Sequence, residues 1–107
     1  MLTCLRKRVE DCIELLSDSS IVARCTAARA LGQMGQQARE ALPALIQALE
    51  DREPLIRDAV VDAIGCIGPW SPDAVPALEK ALTDSNSFVQ ATAARALKKI
   101  GAARAMS

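Results

Sequence analysis

Leucine, isoleucine and valine recur along this chain with the period of a helix. Leu42, Leu45, Ile46 and Leu49 stand at i, i+3, i+4 and i+7, one apolar face of a helix over 39–49. Ile56, Val60, Ile64 and Ile67 draw the stripe of the next helix, over 54–67. Pro43 and Pro54 fall in the first turns of these two helices, where a missing N–H costs nothing. Gly68 then stands at a C-cap, where a left-handed backbone is wanted, and Pro69 forbids continuation. Nearer the N-terminus, Leu2, Leu5, Val9, Cys12, Ile13 and Leu16 keep the same period. The pattern predicts helices over 3–16, 21–34, 39–49, 54–67, 73–82 and 87–100.

The pattern also repeats at longer range. Asp18, Asp51 and Asp84 are 33 residues apart, as are Leu16, Leu49 and Leu82, and Gly35, Gly68 and Gly101. Ala41-Leu42-Pro43-Ala44-Leu45 returns as Ala74-Val75-Pro76-Ala77-Leu78. Thr26-Ala27-Ala28-Arg29-Ala30-Leu31 returns letter for letter at Thr92 to Leu97. No insertion breaks the register. Each unit is a helix pair with two apolar faces, and a pair this small cannot bury both alone. Stacking the pairs gives one continuous core, with about three units needed for stability. The expected architecture is all-α, a short α-solenoid forming one domain over 1–107. Its units cover about 1–35, 36–68 and 69–101, with a tail at 102–107.

One unit contains Asp18, Arg24, Ala27, Ala30-Leu31-Gly32 and Met34-Gly35, followed by Ala41-Leu42-Pro43-Ala44-Leu45. This resembles the HEAT repeat, and in particular the short bacterial variety named after the phycobilisome bilin lyases. The resemblance runs over about residues 1–101 and lies in the residues that build the stack. It implies a right-handed superhelix, with the first helix of each pair convex and the second concave. It also implies a protein-binding scaffold or, alternatively, a subunit or relative of a bilin lyase acting on phycobiliproteins. Two positions depart from the pattern. The arginine, present as Arg24 and Arg57, is Gln90 in the third unit, and the glycine at 32 and 65 is Lys98. A lysine where glycine allows close helix approach reads either as the mark of a C-terminal cap or as ordinary variation within a piece of a longer array.

Composition narrows the chemistry. Histidine is absent, which removes the Ser-His-Asp triad, the Cys-His pair and His-containing metal sites. The family's metal-dependent hydroxylases need His-Glu motifs, so that activity is excluded with them. Lys+Arg and Asp+Glu are 13 each, so no net field draws the chain to nucleic acid or an anionic membrane. No apolar run reaches membrane-spanning length, and charges at Arg6, Lys7, Arg8, Glu10 and Asp11 interrupt any signal-peptide core. The expectation is a cytoplasmic, non-enzymatic chain without cofactor or metal. Cys4, Cys12, Cys25 and Cys66 share no C-x-x-C spacing and read as independent reduced thiols.

The remaining candidates are surface positions. Asp18, Asp51 and Asp84 read as structural carboxylates that accept backbone N–H groups at the next helix start and pair with Arg24 or Arg57. On the second helices, burying 23, 27, 30, 31, 34 and their equivalents turns another stripe outward. It contains Cys25, Arg29 and Gln33, then Asp58, Asp62 and Cys66, then Ala91, Arg95 and Lys99. Arg29, Asp62 and Arg95 are equivalent, one per unit, and are expected side by side on packed helices as a ladder of ion pairs. The same strip is the expected recognition surface for a protein partner. Arg29, Asp58, Asp62, Cys66, Arg95 and Lys99 are its contact residues, with Trp70 as an outlying anchor or a cover for the seam between units two and three. An apolar stacking face left open at an end unit also offers a route to a homo-oligomer.

Overall fold

Polar side chains start the second helix of each pair. Asp18, Asp51 and Asp84 each accept a backbone N–H two residues ahead, from Ser20, Glu53 and Asn86, at 2.9, 3.0 and 2.9 Å. Ser20 then caps the following helix by accepting the Ala23 N–H, and Asn86 caps its own by accepting those of Phe88 and Val89. Side chains thereby satisfy N–H groups that have no partner inside a helix. The computed structural model describes residues 2–69 and 71–105. Its elements are α1 (Leu2–Leu15), α2 (Ile21–Met34), a 3-10 helix (Gly35–Ala41), α3 (Leu42–Ala48), α4 (Pro54–Ile67), α5 (Ala74–Ala81) and α6 (Ser87–Ala105). No strand occurs among the described residues.

Three differences from the sequence pattern have local causes. The helix expected over 39–49 begins only at Leu42, because Pro43 has no N–H to give the carbonyl of residue 39. The preceding segment winds as a 3-10 helix that buries Ala38 and Ala41. Gly68 is not left-handed: its φ is −115°, and the positive φ belongs to Gly35 at 60°. Gly68 is small for another reason, since a Cβ there would lie 3.1 Å from the Ala74 Cβ and 3.3 Å from the Leu42 Cδ1. The last helix runs on to Ala105, through Gly101 and into the expected tail, because nothing after Ile100 breaks it.

The helices pair as α1 with α2, α3 with α4 and α5 with α6. The most extensive contacts join α2 to α4 and α4 to α6. The first helices keep apart: α3 and α5 touch briefly, and α1 reaches the next pair through the 3-10 segment. One apolar cluster runs from Val9 in α1 to Ile100 in α6. The buried stripe of α4 is wider than its periodicity suggests, adding Ala59, Val61, Ala63 and Gly65, because α4 is packed on both sides. Glycine sets the closest approach between second helices. A Cβ on Gly32 would lie 3.2 Å from the Ala63 Cα, and one on Gly65 would lie 2.8 Å from the Ala96 Cβ. Lys98, the equivalent in α6, is exposed.

A chain of hydrogen bonds links the turns of successive pairs. Arg24 donates to the carbonyls of Asp18 and Ser19, then reaches across to the Asp51 carboxylate at 2.8 Å. Arg57 repeats this one unit on, holding the carbonyls of Asp51 and Arg52 and gripping both Asp84 oxygens, at 2.9 and 3.0 Å. Arg57 holds the Asp84 carboxyl below the usual carboxylate range, and the carboxylate pushes the Arg57 pKa higher still. Gln90 keeps the backbone half of the arrangement, donating to the Asp84 carbonyl.

Candidate functional site

The second helices bury one side and turn the other out. Arg29, Asp62, Arg95 and Lys99 are exposed, and Cys25, Asp58 and Cys66 are half-buried beside them. These positions meet because α2, α4 and α6 pack side by side in the same phase. A cleft of about 480 Å³ is lined by Arg29, Gln33, Asp58, Asp62, Cys66 and Arg95, with Ala28, Ala59 and Ala63 among its small residues. The alternation of charge, positive then negative then positive, follows from one residue per helix.

The expected ladder of ion pairs is not formed. Among the described residues no ion pair joins Arg29, Asp62 and Arg95. Exposed charges gain little by pairing in water and lose side-chain freedom when they do, so these heads stay apart. Arg95 instead donates to the Thr92 hydroxyl at 3.0 Å, and that hydroxyl donates to Asp58 across the α4–α6 contact. Thr92 is itself buried, so it ties an exposed cation to a half-buried carboxylate. Lys99 approaches the Cys66 sulfur at 3.6 Å, linking equivalent positions of neighbouring helices. Asp62 makes no hydrogen bond to the described residues and is left free toward solvent.

A second row lies about two turns nearer the helix starts, and the sequence pattern did not single it out. Val22, Leu55 and Phe88 are equivalent, one per unit, and are 74%, 55% and 77% exposed. Leu55 and Phe88 line a second cleft of about 630 Å³, together with Pro54, Asn86 and Ala91. Both clefts share Asp58, Thr92 and Arg95, so they form one continuous groove. The signal was available, since an apolar residue recurs every 33 positions outside the buried stripe.

Trp70 lies outside the described residues, as do the side chains of Cys4, Arg6 and Lys7. Cys12 packs half-buried against the core, and burial pushes its thiol pKa up, which disfavours the thiolate. Among the described residues no three His, Cys, Asp or Glu side chains gather to hold a metal ion. No helix among the described residues is long and apolar enough to cross a membrane. The family model described as HEAT repeats matches residues 9–98 and again 70–107. No curated protein matches the chain.

Proposed function

Because the chain belongs to the HEAT repeat family, whose repeats are commonly protein-interaction scaffolds, we propose that it is a non-enzymatic binding module. Its three 33-residue units form a short right-handed α-solenoid, and it grips a protein partner through the concave face made by α2, α4 and α6. The contacts support this curvature, because the second helices crowd together while the first helices spread apart. The observation that carries the reading is the continuous groove along that face. It has exposed apolar side chains on one side and, on the other, a charge row that forms no ion pair among the described residues. A preformed surface of this kind loses little ordering entropy on binding. The contact residues are Arg29, Asp58, Asp62, Cys66, Arg95 and Lys99, joined by Leu55 and Phe88. The partner is a protein rather than nucleic acid or membrane, since the mixed charges of the strip cancel any field that phosphates would follow. The site of action is the cytoplasm.

The tetrapyrrole alternative rests on resemblance alone, and Phe88 is the one aromatic ring the described residues offer a flat chromophore.

A photoactivatable side chain placed at Asp62, and separately at Gln47 on α3, tests the reading in native cell extract. Cross-linking of a discrete protein from position 62 and not from 47 is expected. The reverse pattern contradicts the assignment of the face.

A further inference from the structure

The groove has a shape and a charge order that specify what fits it. Leu55 and Phe88 form one ridge, with Val22 at the equivalent position on α2, and Arg29, Asp62 and Arg95 form the other. Within each helix the two ridges are seven residues apart, or about 10 Å. Between them lie Asp58, which is half-buried, and Ala91, whose side chain ends at Cβ. The ridges stand about 10 Å apart centre to centre, so an α-helix about 10–12 Å across with its side chains reaches from one ridge to the other.

The spacing along the trough agrees. The charged row steps from helix to helix, and packed helices lie roughly 8–10 Å apart. A helix laid across them advances about 10.5 Å every seven residues and returns to within about 20° of the same face. An extended strand covers about 10 Å in three residues, but its side chains alternate, so every third one points away. The row therefore reads a helix and not a strand.

Resting on the concave-face reading above, we propose that the trough receives an amphipathic helix of a partner protein. The helix places an acidic, a basic and an acidic side chain at i, i+7 and i+14, opposite Arg29, Asp62 and Arg95. An adjoining apolar stripe packs on Leu55 and Phe88. Such a segment needs about 15 residues, or roughly 22 Å, and the molecule measures 35 × 32 × 17 Å. Asp62 has no partner of its own among the described residues, so it supplies the central selection for a cation. No helix of this chain carries acidic, basic and acidic residues at that spacing, so the occupant is not a second copy.

The test uses the full chain and two synthetic 18-residue helical peptides. One carries Glu, Lys and Glu at heptad spacing with leucines on the adjoining stripe, and the other exchanges the charges. The wild-type chain is expected to bind the first at least about tenfold more tightly, since three exposed pairs change sign between the two peptides. The triple variant Arg29→Glu, Asp62→Lys, Arg95→Glu is expected to reverse the preference. Phe88→Ala, a change at a side chain 77% exposed, is expected to weaken the preferred peptide while keeping the order. Equal binding of both peptides, or a preference the triple variant does not reverse, overturns the proposal. Selection from displayed random 18-residue peptides separates it from the reading beneath it. Ligands that protect α2, α4 and α6 without the heptad charges defeat the helix pattern alone. Ligands that protect α1, α3 and α5 defeat both.

Discussion

Gly32 and Gly65 set how closely the second helices approach, and a methyl group at Gly65 would intrude 2.8 Å from the Ala96 Cβ. Gly101 sits within α6, and a methyl group there would meet nothing within 4 Å. The same substitution therefore has opposite signs at the two sites. Alanine gains about 1 kcal/mol over glycine in a helix interior, whereas overpacking costs about 1–3 kcal/mol. Gly65→Ala should lower the urea midpoint and Gly101→Ala should raise it by the equivalent of about 0.5–1 kcal/mol. Stabilisation by both would show that the α4–α6 contact is looser than described. At this scale the sequence revealed residues that obey the period, such as Arg29, Asp62 and Arg95. It did not reveal the Thr92 link between Arg95 and Asp58, because that depends on the rotation of α6 against α4.

Between elements, the arginine–aspartate rungs fix how one helix pair sits on the next. The Arg57–Asp84 rung is two-pronged and mostly buried, with side-chain exposures of 13% and 15%. Asp84 has its pKa lowered in the folded chain. Its stabilising contribution is therefore complete above the unfolded aspartate value, about 3.9, and is lost as pH falls through the lower folded value. Asp84→Asn should remove about 1.5–3 kcal/mol at neutral pH, the usual range for a hydrogen bond to a charged group. It should also flatten the stability curve below about pH 4. Urea unfolding across pH measures both, and an unchanged acid limb would show that the rung carries no titrating contribution. Helix starts were legible because proline and polar caps mark them. The 3-10 segment before Leu42 and the extension of α6 to Ala105 were not, because each depends on a small balance of local hydrogen bonding. The expected ion-pair ladder failed for a different reason, since periodicity aligns residues but does not desolvate them.

Across the whole molecule, helices in phase turn single residues into rows, and the rows make the groove. The periodicity reached the fold class and the charged row. It did not reach the apolar ridge of Val22, Leu55 and Phe88, since exposed apolar side chains are ordinary on any surface until packing lines them up. The proposed function requires that a protein partner be held on this face by its polar side chains. Arg29 and Asp62 are exposed, lie outside the apolar cluster and make no hydrogen bond to the described residues, so Asp62→Lys with Arg29→Glu should leave the unfolding midpoint nearly unchanged. The most direct measurement is the affinity of the cross-linked partner, once purified, for wild-type and doubly reversed chains of equal stability. A fall of about tenfold or more is predicted from two exposed charge reversals in a desolvated interface, and an unchanged affinity would contradict the account.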